Sequence, residues 1–291
     1  VFRLLAKAVP RRPRPVPKQR ALFAEAAQLE KRMMAQLASE LRALQDDVSL
    51  SSMARHLQLA QTNAVVSLVD DAGARATFVE LEPLLEDGIK AAAKITAGGD
   101  AVAFDAVQPK IKIWLKEHTA KLVKETTKTT REAIRSMVER GVDSGRHPMR
   151  LAKDIKSVIG LDERSAIAVD RRREYLLRKL DDPTRANKLA DKYADKLLTR
   201  RAENIARTEA LRSISHGQKA LWEQLQEEGA LGAKAMREWD SSGDSAVCEI
   251  CEPMNGTRIA IGAQWRLPDG TMVDVPNESH PSCRCVEILV I

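Results

Sequence analysis

The sequence predicts a mainly α protein: an extended helical body joined to a small C-terminal β-rich module (α+β). Three observations predict it. Charged residues make up 30% of the 291 positions and aromatics only 3%, with Ala and Leu abundant, a mix that favours helices. Apolar residues recur at steps of three and four up to about Gly229. Beyond Gly232 that period gives way to short β-type runs between turn residues, and all four cysteines fall there.

The chain opens with a basic arm over residues 1–20. Its segment RRPRPVPKQR alternates proline with other residues, which breaks helix and strand alike, so an extended or disordered arm is expected. Arg11, Arg12, Arg14, Lys18 and Arg20 make it cationic. Such a run suits phosphate contact with packaged or passing nucleic acid, and equally suits a solvated strap that orders on a partner.

A first helical region is expected over 21–147. Leu22, Ala26, Leu29, Met33, Leu37, Leu41 and Leu44 form one apolar stripe. A second helical stretch covers roughly 50–70, and a third about 74–96, interrupted near Pro83. Gly98-Gly99-Asp100 is a break. The next stretch runs from about 101 to 140, with Pro109 at a kink or a restart. Trp114, His118 and Leu122 share a face, which makes His118 a packed histidine rather than a ligand. The threonines at 126, 127, 129 and 130 weaken that helix and suggest no function.

The loop GVDSGRHP, with Gly141 and Gly145, reads as a linker to a second helical region over 148–234. Pro148 opens a short helix to about Ile159, and Asp162 is a cap for a helix over 163–180. Within that helix, Arg171, Arg172 and Arg173 suit a solvated face or a nucleic-acid patch. Asp182-Pro183 starts a helix expected to reach Gly217, with another to Gly229. Its buried stripe reads Leu189, Tyr193, Leu197, Asn204, Ile205, Thr208, Leu211 and Ser215, flanked by Arg201 and Arg212. Buried polar groups need partners, so this face is expected to dock on something polar, the cysteine module being the natural candidate.

That module spans 235–291. Ala235–Trp239 reads as a strand leading to the knuckle C-E-I-C, and Arg258–Ile261 as a second strand. Pro268-Asp269-Gly270 turns a hairpin between 264–267 and 271–275, and Val286–Ile291 closes the unit. A unit this small needs a staple or a docking partner to supplement its core. The staple is visible as C-x2-C-x28-H-x2-C-x-C: Cys248, Cys251, His280, Cys283 and Cys285. One pair grips an ion from one side and the other closes the opposite side, the logic of a structural zinc site. Five candidates compete for four places, and four protein ligands leave no open position for catalysis. The competing readings are thiols without metal, or disulfides crossing between the pairs in an oxidising compartment.

Charge is unevenly placed. Residues 1–150 carry a net +7, residues 151–239 a net +4, and residues 240–291 a net −5. A basic body with an acidic end would face anionic partners with one end only. No apolar run of about 18 residues exists, so neither a membrane span nor a membrane partner is expected. The absence of a Gly-rich phosphate loop, a tuned carboxylate pair and an H-E-x-x-H argues against an enzyme.

Four groups of residues carry a family likeness: I-A-R-T-E at 205–209, W-D-S-S-G-D-S-A-V-C-E-I-C at 239–251, N-G at 255–256, and H-P-S-C-R-C at 280–285. In order and spacing, over roughly 135–290, they resemble the phage Mu F-like minor head proteins, also called head morphogenesis proteins. The resemblance implies a minor component of a tailed-phage or prophage head. Such proteins associate with the portal protein inside the assembling head and influence DNA packaging, retention or ejection. It implies the virion as location, host cytoplasm during assembly, and major capsid or scaffold protein and packaged DNA as further partners. By the same likeness Arg207, Thr208 and Glu209 orient their helix against the cysteine module, while Asp240 and Asp244 cap the turn of the knuckle. Two other functions compete: a zinc-stabilised DNA-binding protein unrelated to virions, and a metal-dependent nuclease or toxin-type effector with His280 as base.

Overall fold

The computed structural model describes residues 17–75, 81–98, 109–241 and 247–291. They form helices α1 (Pro17–Asp47), α2 (Leu50–Gln58), α3 (Thr62–Arg75), α4 (Leu81–Ala97), α5 (Pro109–Asp143), α6 (Pro148–Lys156), α7 (Glu163–Lys179) and α8 (Pro183–Glu227). Five strands follow: β1 (Met236–Asp240), β2 (Arg258–Ala260), β3 (Trp265–Arg266), β4 (Met272–Val273) and β5 (Val286–Val290). The protein is therefore mainly α, with a small C-terminal strand module. The chain divides into two compact units of interleaved segments. One comprises Val1–Glu30, Leu85–Gln108 and Arg207–Ile291; the other comprises Lys31–Leu84 and Pro109–Ala206. Among the described residues no helix is long and apolar enough to cross a membrane.

The helices depart from the sequence expectation where backbone details intervene. Residues 17–20 are the first turn of α1, not an extended arm, because Pro17 stands where its missing N–H goes unneeded. The α1 stripe from Leu22 to Leu44 is buried throughout. The stretch at 50–70 is two helices, separated at Ala60, whose φ of 55° is left-handed. Pro83 lies in the first turn of α4, and Pro109 is the first residue of α5, the restart of the two expected alternatives.

In the second unit, α2 packs on α6, and α5 on α3 and α7. The segment expected to be a linker is tied down instead. Arg146 is 12% exposed; it pairs with buried Asp170, with Glu174 at 2.6 Å and with Asp154 at 3.4 Å. Arg140 reaches the same Asp170 at 3.0 Å. Arg173 is buried and joins Asp154 at 2.8 Å to Asp191 at 2.5 Å, while Arg171 and Arg172 face solvent. Asp162 caps α7 by accepting the N–H of Ser165 at 3.0 Å. The threonine cluster has a partner: Arg201 donates to Thr129 Oγ1 and to the carbonyl of Gly160, each at 2.6 Å.

Helix α8 is continuous through Gly217. Its buried stripe departs from the expected one along most of its length. Thr208 and Ser215 are buried as expected, but Leu189 and Asn204 are exposed and Tyr193, Leu197, Ile205 and Leu211 are half-buried, while Ala186, Ala190, Ala194, Leu198, Ala202, Ala206, Ala210 and Ile214 are buried. A step of four overshoots one turn by about 40°, so this face winds around the helix.

In the first unit, Leu22, Ala26, Ala92 and Ile214 form a core between α1, α4 and α8. Gly217 makes the approach of α4 possible: a Cβ there would stand 2.4 Å from the carbonyl oxygen of Ile89. The strand module has a three-stranded antiparallel sheet of order β2-β1-β5 and a separate β3-β4 hairpin. Trp239 and Trp265 meet edge to face, centroids 5.4 Å apart, in a core that also holds Met254, Leu267, Val273 and three of the cysteines. Beside them Arg237 is fully buried and pairs with buried Glu287 at 2.8 Å; Glu287 also accepts from the indole of Trp265 at 2.6 Å.

Candidate metal centre

Two segments supply the cysteines. Cys248 and Cys251 lie on a run of tight turns after β1, in which the N–H groups of Cys251 and Glu252 both donate to the carbonyl of Cys248. The Asn255-Gly256 pair closes this run. Asn255 accepts the N–H of Ser241 at 2.9 Å, and Gly256, at φ 77°, donates to the carbonyl of Trp239 at 2.8 Å. His280, Cys283 and Cys285 lie between a 3-10 turn at Pro276–Glu278 and β5.

The five side chains meet as two triads that share Cys251: Cys248, Cys251 and His280, and Cys251, Cys283 and Cys285. Sulfurs at about 2.3 Å and nitrogen at about 2.0 Å from a tetrahedral ion stand about 3.8 Å (S–S) and about 3.5 Å (S–N) apart. Here Cys251 and Cys283 are 3.8 Å apart, and His280 Nε2 is 3.3 Å from each of Cys248 and Cys251. The ring orientation also fits. His280 Nδ1 lies 3.0 Å from the carbonyl of Pro281, to which it donates, and Nε2, beside the two sulfurs, is the nitrogen free to ligate an ion. These residues can hold a metal ion.

Electrostatics favour a cation here. The hydrogen bond from Cys285 outweighs burial and draws Cys283 down to about 5. Burial first, then the charge of Cys283, push Cys251 up to about 12. Cys285 is held above the ordinary thiol range by its bond to Cys283, with burial adding to it. Alone, the buried trio keeps one thiolate. A divalent ion supplies the charge that lets the others ionise.

Helix α8 holds the ligand loop in place, as the polar face predicted. Thr208 Oγ1 accepts the N–H of Ser282 at 2.9 Å, and Ser282 has a left-handed φ of 58°. Buried Glu209 binds Arg212 at 2.8 Å, and Arg212 donates to the carbonyl of Asn277 at 3.2 Å. Asn277 in turn donates to the carbonyls of Cys283 at 2.8 Å and Cys285 at 3.2 Å, and its Oδ1 accepts from Ser215. Two further contacts widen the joint: a hydrogen bond between His216 and Glu278 at 2.9 Å, and an ion pair between Lys219 and Asp274 at 3.0 Å. Burial opposes the ionisation of Glu278, but the His216 hydrogen bond and the N–H of Asp274 hold its carboxyl at about 2.

Arg207 has a different contact, pairing with Glu30 of α1 at 3.1 Å. Asp240 ends β1, and its carboxylate accepts from Gln19 at 3.4 Å. Arg11, Arg12, Arg14 and Asp244 lie outside the described residues, and Lys18 and Arg20 belong to the first turns of α1. His118 stacks on Trp114 at 4.7 Å, away from the cysteines in sequence and in unit. Asn277 was missed. An asparagine one position after a proline reads only as a turn residue, and the carbonyls it holds are six and eight residues away.

Among curated proteins and among solved structures, none matches the chain. The family model described as phage Mu protein F like protein matches residues 132–288. That span is more than half of the chain, and it contains the Arg207–Glu209 motif, the knuckle and the C-R-C loop whose mutual hydrogen bonds have just been described. The chain belongs to the phage Mu protein F-like family.

Proposed function

We propose that the protein is a minor head protein of a tailed phage or prophage, structural rather than catalytic. It associates with the portal protein inside the assembling head and assists head assembly, DNA packaging or ejection. Its location is the head interior at the portal vertex, reached from the host cytoplasm during assembly. The major capsid or scaffold protein and packaged DNA are further contacts. Family membership supports this reading. The observation that carries its structural character is the α8 joint: Thr208, Arg212 and Asn277 are spent on holding the backbone of the ligand loop.

The ion proposed for the cysteine centre is zinc. Thiolates and an imidazole suit it, its geometry is tetrahedral, and a site closed by protein ligands is structural. The site residues are those above, with four of Cys248, Cys251, His280, Cys283 and Cys285 as ligands.

The test is co-purification with the portal protein encoded alongside it, with nuclease added and salt raised. Association that resists both treatments is expected. Association lost with nuclease or salt would mean that the basic chain, of pI about 9.2, reads nucleic acid and that the portal contact must be abandoned.

A further inference from the structure

A cleft of about 960 Å³ lies in the second unit, between α6 and the first turns of α8. Its charges are not balanced against one another. Every carboxylate in its lining is already held by an arginine. Asp154 is held by Arg173 and Arg146, Asp191 by Arg173, and Asp195 by Arg42 at 2.9 Å. Besides Arg173, four cations line the same cleft: Arg150 and Lys153 on α6, Lys188 and Lys192 on α8. All four are exposed and none makes a side-chain hydrogen bond or a close ion pair with a described residue, although Arg150 is near enough to Asp154 to favour its charged form.

A single surface lysine without a partner is ordinary. Four that converge on one concavity repel each other, and the low-dielectric walls focus their field. The pairs are also regularly placed. Lys188 and Lys192 are one helical turn apart, as are Arg150 and Lys153, so each helix offers two donors on one side of the cleft. The floor is rigid, since buried Arg173 is fixed by Asp154, Asp191 and Ser157. A ligand with dense negative charge and several acceptor oxygens can bind donors from both walls at once.

We propose that this cleft is a binding site for phosphate groups, either of a free oligophosphate or nucleotide, or of a nucleic-acid backbone. The site is independent of the cysteine centre and of the portal reading. Arg150, Lys153, Lys188 and Lys192 supply the charge-assisted hydrogen bonds, and the carboxylates of the lining are each already paired with an arginine.

The test measures binding of inorganic tripolyphosphate to the full chain at low salt by calorimetry. Three proteins are compared: the wild type, K188A/K192A, and the control K116A/K124A, which removes two exposed lysines of α5 in the same unit. All four lysines are exposed, so both variants should keep the wild-type far-UV spectrum. K188A/K192A should weaken tripolyphosphate binding by roughly tenfold or more, while the control changes it by less than about twofold. A short single-stranded oligonucleotide then distinguishes the sources. If it competes with tripolyphosphate and loses affinity in the same variant, the ligand is a nucleic-acid backbone; if it does not compete, the ligand is a free oligophosphate. No tripolyphosphate binding by the wild type, equal losses in the two variants, or equally tight binding of citrate would overturn the proposal.

Discussion

Thr208 of α8 accepts the backbone N–H of Ser282 through Oγ1 at 2.9 Å, and Ser282 is the residue immediately before Cys283. One hydroxyl of the Arg207–Glu209 motif thus fixes the left-handed residue from which the C-R-C loop departs. Thr208→Val keeps the shape and removes the acceptor. It should destabilise the protein by about 1 kcal/mol, the cost of leaving a half-buried N–H without its acceptor. It should also speed metal loss to a chelator. Thr208→Ser should restore both, and thermal unfolding with and without a competing chelator would measure them. An unchanged chelation rate in the valine variant would sever the motif from the metal centre.

Removing the ion proposed for the cysteine centre should unmake the strand module and spare most helices. Trp239 and Trp265 share their core with Cys251, Cys283 and Cys285, so their fluorescence should shift to the red on chelation. Far-UV helicity should change little. A parallel loss of helix signal would show that the helices depend on the ion.

The second unit carries its own acid sensitivity, through Asp170. Burial raises the pKa of this carboxyl, but hydrogen bonds from Arg146 and Arg140 outweigh that and lower it below the ordinary 3.8. The unfolded chain therefore binds the proton first. Asp170's contribution is complete above about 3.8 and declines as pH falls through the lower folded value. Asp170→Asn should cost about 3 kcal/mol near neutrality, since two partly buried arginines lose their charge partner. The variant should also show a flatter melting temperature below pH 4 than the wild type. Melting followed by circular dichroism across pH would reveal a slope that fails to flatten.

Gly217→Ala should be unfavourable although alanine is the better helix former by about 1 kcal/mol. The new Cβ would meet the Ile89 carbonyl oxygen at 2.4 Å and the Ile89 Cα at 2.9 Å, both backbone atoms that cannot swing aside. A net loss of about 1–3 kcal/mol is expected in urea unfolding. A stabilised variant would mean that α4 and α8 do not approach as closely as Gly217 allows.

The sequence by itself determined the parts governed by short-range rules. Cys248, Cys251, His280, Cys283 and Cys285 are legible because ligand chemistry depends on residue type and spacing. The Asp162 cap, the turn at Pro268-Asp269-Gly270 and the closing strand are legible because turns and caps are local. Docking of Thr208, Arg212 and Ser215 was legible as a polar stripe that needed partners. Only the tertiary structure decided which face of α8 is buried. Leucine periodicity pointed to Leu189, but the buried positions are the alanines from Ala186 to Ala210, and the identity of a neighbour is not a local property. It likewise decided the role of Asn277, the continuity of α8 through Gly217, and the capture of Arg146 by three carboxylates. Each depends on backbone or charge brought close from elsewhere in the chain, which a reading along the sequence does not contain.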